Sequence, residues 1–319
     1  MNQLLSIDPA TEVDRIVKLL QETIHKKMHR YGAVVGVSGG IDSSVVLALC
    51  VRTFGPDHVL AIIMPEKESN PETREIASTL AKHYGVASIF EDITPVLAAF
   101  GCYRQRDEAI KSLFPEYDPE AGYKCKIVLP PDLLNSDVLN FFTLTIAGPD
   151  DQEKSVRLPL PEYLKIVAAT NMKQRTRMAY LYYYAEYNNY AVAGTANKNE
   201  HDLGFFVKYG DGGVDIQPIA HLYKTQVYQL AEYLNVPEVI RNRPSTTDTY
   251  SAGSTQEEFF YRLPFILLDT LWYAQENSMP INEVARLTDL TEIQVKRAWD
   301  DILRKKRTTD YLRMEPVSI

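Results

Sequence analysis

The stretch Ala33–Cys50, AVVGVSGGIDSSVVLALC, places a run of small polar residues between two apolar ones. The first run, Ala33 to Val37, is continuous and valine-rich, the pattern of a strand buried on both faces of a parallel sheet. The second starts at Val45 and carries on through Val51 and Phe54 at roughly helical spacing. Between them, Ser38-Gly39-Gly40-Ile41-Asp42-Ser43-Ser44 must turn the chain and open a helix. A glycine-rich turn from strand to helix aims backbone N–H groups outward at the positive end of the helix dipole, which makes an anion site. The loop lacks the lysine of GxxxxGK[ST] and the glycine spacing of GxGxxG. It offers three hydroxyls and one carboxylate, Asp42. A carboxylate among phosphates repels them unless a hard divalent cation lies between, and Mg²⁺ binds through one or two carboxylates plus phosphates. The plainer reading is an N-capped helix after an ordinary turn.

The rest of the chain narrows the choice. With 319 residues, 45% hydrophobic and 24% charged, it can bury a full core. A net charge of −8 argues against a general nucleic-acid binder, which needs a basic surface to displace counterions. The basic run Arg304-Lys305-Lys306-Arg307 is local. Cys50, Cys102 and Cys125 form no CxxC or zinc spacing and suit a reducing compartment. The N-terminus has neither the basic flank nor the apolar core of a signal peptide, and no apolar run approaches 18 residues. A soluble, cytoplasmic protein is expected.

Residues 10–30 read as an amphipathic helix, and Val59–Met64 as a second buried strand. Pro71–Tyr84 reads as a helix and Ala87–Phe90 as a third strand. This alternation predicts an α/β fold with a doubly wound parallel sheet, whose ligands bind beyond the carboxyl ends of the strands. From Cys102 to about Glu162 the rhythm breaks, and the segment reads as an inserted flap with β-like runs at Lys126–Leu129 and Asn140–Ile146. A helix over Tyr163–Tyr187, a strand over Tyr190–Ala193, a last strand over Asp215–Ile219 and a helix over Lys224–Leu234 are expected next. From about Thr255 the chain reads as helical, all of it within one domain spanning 1–319.

Polar clusters recur where strands end or helices begin. NMKQRTRM carries Arg175 and Arg177; GTANKNE follows a strand and offers Glu200; Lys208, Asp211 and Asp215 straddle a glycine-rich turn. Lys224 opens a helix, where a cation does not help the dipole, so it needs another partner such as a phosphate. His25 and His29 read as a surface pair, and the tyrosines from Tyr180 to Tyr187 as packing.

The motifs SGGIDSS, NMKQRTRM, GTANKNE, GFFVKYGDGG-VDIQPI-HLYKTQV and RPS run in order over roughly residues 30–247. In that order and spacing the chain resembles the ammonia-dependent NAD synthetases of the PP-loop ATP pyrophosphatase group, with their adenine-nucleotide α-hydrolase-like, Rossmann-type fold. The resemblance implies that Gly36, Val37, Ser38, Gly39, Gly40, Ile41, Asp42 and Ser43, with Thr195, Lys224 and Ser245, contact ATP. It implies Mg²⁺ on Asp42 and Glu200, with Asp42, Glu200 and Lys224 as catalytic residues. It also implies deamido-NAD bound by Arg175, Lys208 and Asp215, ammonia as the second substrate, and a homodimer. No glutaminase segment precedes the loop, so ammonia is expected free or from another protein. Two stretches depart from the family pattern: STQEEFFYRLPFILLD, and Tyr311-Leu312 where a His-Lys pair is usual. The alternative is a PP-loop ligase that adenylates a different small carboxylate. The apolar residues Phe259, Phe260, Phe265, Leu267, Leu268, Leu271 and Trp272 suggest a dimer contact in the C-terminal third.

Overall fold

A computed structural model describes residues 3–130, 133–135, 141–247 and 250–318. Helix α1 (Pro9–Leu20) is capped by the Asp8 side chain, which accepts from Ala10 N, and a π-type turn over Gln21–Lys27 extends it. Strand β1 (Ala33–Gly36) then runs through the core into α2 (Ile41–Phe54). Strand β2 (Val59–Ile63) is buried throughout, as its unbroken apolar sequence requires. Helix α3 (Glu72–His83) returns the chain to β3 (Ala87–Phe90), a more exposed strand at the sheet edge.

The insertion is richer than its sequence suggests. Two short helices, α4 (Thr94–Ala99) and α5 (Cys102–Lys111), precede a three-stranded antiparallel sheet of β4 (Lys124–Val128), β5 (Thr143–Ala147) and β6 (Glu153–Arg157). The two β-like runs correspond to β4 and β5; Asn140, at the start of the second run, lies outside the described residues. The third strand, EKSVR, gives no sequence signal because it is an edge strand with no buried residue. Its own core gathers Ile110, Phe114, Tyr117, Cys125, Ile127, Leu144, Ile146 and Ile166.

Helix α6 (Leu160–Asn188) is 29 residues long and ends at Asn189 in the left-handed conformation. It delivers the chain to β7 (Ala191–Ala193), which pairs in parallel with β1. The main sheet has the order β3-β2-β1-β7, all parallel. The chain winds outward from β1 to β3 and then crosses back to β7 on the other side. The point between β1 and β7 is therefore a topological switch point, where the loops after the two strands diverge and leave a crevice.

The strand expected over Asp215–Ile219 does not form. A single bridge joins Ile216 to Ala193, and Pro218 lacks the N–H that would continue the ladder. Helices α7 (Lys198–Leu203), α8 (Lys224–Tyr233) and α9 (Glu238–Arg241) follow, then a small ladder of β8 (Thr246–Thr247) and β9 (Ser254–Thr255). The C-terminal part is helical: α10 (Phe265–Glu276), α11 (Ile281–Thr288), α12 (Glu292–Thr308) and α13 (Asp310–Arg313).

Leu268, Leu271 and Trp272 of α10 are buried with Tyr261, Val284, Val295 and Ile302, and Phe260, Phe265 and Leu267 pack on them. Phe259 leans on the flap core instead. The apolar segment read as a dimer contact thus forms the interior of this chain. Full burial of each large side chain is worth about 1.5–3 kcal/mol, reason enough for the segment to turn inward. No helix among the described residues is long and apolar enough to cross a membrane.

Candidate active site

The crevice at the switch point opens into a cleft of about 840 Å³. Its floor is the loop between β1 and α2. Gly39 adopts a left-handed φ of +71°, and a Cβ there would sit 3.1 Å from Ile76 Cγ2, so the turn excludes larger residues. Ser43 Oγ and Ser44 Oγ both donate to Gly40 O, at 3.1 and 2.7 Å, and Gly40 N donates to Ser38 Oγ at 3.3 Å. These contacts tie the Gly40 carbonyl to the helix and leave the first N–H groups of α2 without intrahelical acceptors. Gly36, Val37, Ser38, Gly40, Ile41, Asp42 and Ser43 line the cleft, while Gly39 stands behind them. Ser44 is fully buried and braces the turn, so the loop presents two hydroxyls rather than three.

The loop after β7 completes the opposite wall. Gly194 lets it approach closely, since a Cβ there would meet Val214 Cγ2 at 2.7 Å. Thr195, Glu200, Lys224 and Ser245 all line the cleft. Asp42 Oδ1 accepts from Asn197 Nδ2 at 2.8 Å, and Asp42 Oδ2 forms an ion pair with the buried Lys224 ammonium. The buried Asn197 also caps α7: its Oδ1 accepts from Glu200 N at 3.1 Å while its own N donates to Glu200 Oε2 at 3.2 Å. Gln256 Nε2 donates to Glu200 Oε1 at 3.1 Å. One asparagine therefore holds both carboxylates. Sequence reading missed it, because its role is a contact across 155 positions.

Burial and the Asp42 charge push the Glu200 carboxyl up to about 8, against the pull of Lys224. Burial works against the Lys224 ammonium, but Asp42 and Glu200 outweigh it and keep the group charged. Two carboxyl groups that repel each other when both are ionised, beside an anion-binding loop, are a donor set suited to a small divalent cation, which would favour the ionised form of both, with phosphates and water as the remaining ligands. The residues present fit Mg²⁺ in that sense.

Lys224 is held from behind. The buried Asp269 of α10 accepts from Asn199 Nδ2 at 2.6 Å and from Thr225 N at 2.9 Å, and Asn199 Oδ1 accepts from Lys224 N at 3.0 Å. The carboxylate sits at the positive end of α8, so the start of this helix has an anion of its own despite carrying a lysine. Burial raises the Asp269 carboxyl to about 6. The unfavourable position of Lys224 is thus balanced by Asp42 ahead of it and Asp269 behind.

A second buried network braces the far wall. Lys173 of α6 pairs with Glu66 and Glu68, at 2.8 Å each, and Arg106 pairs with Glu68 at 2.6 Å and Asp107 at 2.8 Å. Burial would raise Glu68, but Arg106 and Lys173 hold it down to about 2. Arg177 donates from Nε to Met64 O at 3.1 Å and faces the cleft. The flap adds an apolar side: Ile127, Leu129 and Phe142 line the cleft, with Phe142 stacked on Tyr163 at 4.6 Å.

Arg175, Lys208 and Asp215 are not brought into this cleft. Arg175 is half-buried on α6, and its guanidinium has no hydrogen-bond or ion-pair partner among the described residues. Lys208 donates to Tyr311 O at 3.1 Å and Met314 O at 2.7 Å, tying down the C-terminal tail. Asp215 is exposed and accepts from Val192 N at 2.8 Å and Tyr182 Oη at 3.1 Å. Asp211, from the same glycine-rich turn, does line the cleft and accepts from Val207 N at 2.7 Å.

A family model for NAD synthase matches residues 12–115 and 149–311. The chain belongs to the NAD synthase family. The unmatched residues between the two matched segments cover β4 and β5, so the flap sheet stands largely outside the shared pattern. An NH₃-dependent NAD⁺ synthetase from Mesorhizobium japonicum is 48% identical over 98% of this chain and 98% of its own length. One from Thermotoga maritima is 36% identical over 89% of this chain and 95% of its own. A solved NH₃-dependent NAD synthetase from Campylobacter jejuni shares the fold, with a TM-score of 0.62 over 98% of this chain and 100% of that one, at 24% identity.

Proposed function

We propose that this NAD synthase family enzyme amidates deamido-NAD with ammonia, using Mg²⁺-ATP and releasing AMP and pyrophosphate. The observation that carries the reading is the Asp42–Asn197–Glu200–Lys224 cluster beside the glycine-rich loop at the switch point. The relatives' names support ammonia-dependent formation of NAD⁺, and the cluster supports an ATP-dependent activation step.

Carboxylates are poor acyl donors, so the nicotinate group must first receive a good leaving group. A nicotinate oxygen bonds to the α-phosphorus of ATP, and the bond to the bridging oxygen breaks with its electron pair leaving on pyrophosphate. Ammonia then attacks the acyl carbon, AMP departs and a proton is lost. In this scheme the N–H groups at the start of α2 and the hydroxyls of Ser38 and Ser43 hold phosphate oxygens. Thr195 and Ser245 contact ATP from the opposite wall, and Lys224 meets the phosphates while paired to Asp42. Asp42 and Glu200 would hold Mg²⁺, which supplies positive charge to the departing pyrophosphate.

Arg175, Lys208 and Asp215 are assigned to deamido-NAD. All three lie outside the cleft of a single chain, which fits a site completed by a second copy in a cytoplasmic homodimer. The helix that carries Arg175 also exposes Leu160 and Leu164 near its start and Tyr183 and Tyr187 near its end, large apolar side chains that a partner would cover. The whole chain is taken to act as one catalytic unit.

The test is pyrophosphate release from ATP with deamido-NAD and ammonium, with NAD measured by a coupled dehydrogenase. Stoichiometric NAD supports the reading. Pyrophosphate release with a different small carboxylate, and none with deamido-NAD, would instead favour a PP-loop ligase of other substrate range.

A further inference from the structure

Among the described residues six cations line the cleft, and four of them are already engaged. Lys173 is paired with Glu66 and Glu68, Arg177 donates to Met64 O, Lys224 is paired with Asp42, and Lys305 with Asp301. The guanidinium groups of Arg243 and Arg304 have no hydrogen-bond or ion-pair partner among the described residues. Position separates these two. Arg304 is exposed, whereas Arg243 is half-buried and stands over the glycine-rich loop: its Nη1 lies 3.6 Å from where a Cβ on Gly39 would be.

The backbone around Arg243 is braced. Arg243 N donates to Ile240 O at 3.2 Å, the ring of Pro244 restricts the Arg243 backbone before it, and Gln256 N donates to Ser245 O at 2.8 Å. Gln256 in turn donates to Glu200, so this segment is tied to the same carboxylate that faces the proposed cation. An unpaired guanidinium next to an anion-binding loop, on a fixed support, fits an anionic ligand. The charge around the loop gives it a purpose. Asp42 and Glu200 consume most of the positive charge that Lys224 and a divalent cation bring, which leaves little for a polyanionic triphosphate.

We infer that Arg243 clamps the β- and γ-phosphates of ATP and the pyrophosphate that leaves. This rests on the reading that the cleft binds ATP and cleaves it between the α- and β-phosphates. When the bond from the α-phosphorus to the bridging oxygen breaks, its electron pair goes to pyrophosphate. The guanidinium offers parallel N–H groups to the oxygens where that charge collects, and it keeps its proton throughout. Being planar and permanently charged, an arginine meets two phosphate oxygens at once, which a lysine at this position would do less well.

The experiment measures binding by calorimetry of Mg²⁺-ATP, inorganic pyrophosphate with Mg²⁺, and AMP to the wild type, Arg243→Ala and Arg243→Lys. Loss of a charge-assisted contact predicts pyrophosphate and ATP affinities about tenfold weaker in Arg243→Ala, with AMP affinity unchanged and partial recovery in Arg243→Lys. AMP lacks the β- and γ-phosphates, so its binding reports whether the rest of the cleft survives. Unchanged pyrophosphate affinity would overturn the inference. An equal loss for AMP, or failure of both variants to fold, would make Arg243 a structural residue and overturn it too. A wild type that ignores deamido-NAD yet binds pyrophosphate through Arg243 would defeat the acceptor assignment alone.

Discussion

The two charged regions assigned to substrates are built in different ways. Around Asp42, each charged group is held by another: Asn197 bridges both carboxylates, Lys224 answers Asp42, and Asp269 anchors the helix behind Lys224. Around Arg175, Lys208 and Asp215 the charges are apart, at the surface or spent on the backbone of the same chain. A network closed within one chain can position phosphates by itself. A scattered set of charges needs a second copy, or the acceptor itself, to bring it together. The ATP end should therefore be unforgiving to substitution and the acceptor end tolerant.

The largest effect expected is at Asp42. Asp42→Asn keeps the shape and removes the charge, and losing an electrostatic contact of this type costs ~10²–10³ in rate. Steady-state pyrophosphate release, with circular dichroism to check the fold, measures it. A loss below tenfold would place Asp42 outside the reacting site and dissolve the contrast between the two regions.

Asp269→Asn comes next, although this side chain touches no substrate. An amide cannot accept from both Asn199 and Thr225 N as the carboxylate does, and a buried donor left unpaired costs about 1–3 kcal/mol. The start of α8 should loosen, lowering kcat/KM for ATP by about tenfold while the KM for deamido-NAD stays close to the wild-type value. If instead both substrates suffer equally, Asp269 is a general stabiliser and not a positioning residue for Lys224.

Glu200 gives a pH signature. Its folded pKa of about 8 lies above the ordinary 4.5, so the native state holds a proton that the unfolded chain has released. Stability from this source is complete below the unfolded value and is lost as pH rises towards the folded one. The ligand-free melting temperature should fall by a few degrees between pH 6 and pH 8.5 in the wild type, and less in Glu200→Gln. Saturating Mg²⁺-ATP should also shrink the fall, because a bound cation favours the ionised carboxylates. Parallel melting curves for wild type and variant would contradict the coupled pair.

The smallest effect is expected at Lys208. Lys208→Ala should raise the KM for deamido-NAD about fivefold and change that for ATP much less, in keeping with a half-buried ammonium whose hydrogen bonds go to the backbone of its own chain. An effect confined to ATP would reverse the assignment of the two regions.

What could be read from the sequence follows the range of the interactions. The loop from Ser38 to Ser44 was legible because strand, turn and helix are consecutive and the anion site is made of their own backbone. The parallel sheet was legible from its unbroken valine and isoleucine runs. The expected strand at Asp215–Ile219 failed because Pro218 and the Asp215 side chain, bonded to Val192 N, leave one bridge where a ladder was foreseen. Strand β6 was missed because EKSVR carries almost no apolar signal. The apolar C-terminal segment looked the same whether it packed inward or against another chain. Asn197, Asp269 and Lys173 were beyond reach, since each acts on residues far away in the chain.

The most direct test of the central claim follows oxygen. Deamido-NAD labelled with ¹⁸O in both oxygens of its nicotinate carboxylate is turned over with Mg²⁺-ATP and ammonium, and AMP, pyrophosphate and NAD are analysed by mass spectrometry. Activation at the α-phosphorus predicts one labelled oxygen in AMP, one retained in the NAD amide and none in pyrophosphate. AMP without label, or NAD formed with no AMP, would contradict the acyl-adenylate and the account of the cleft built on it.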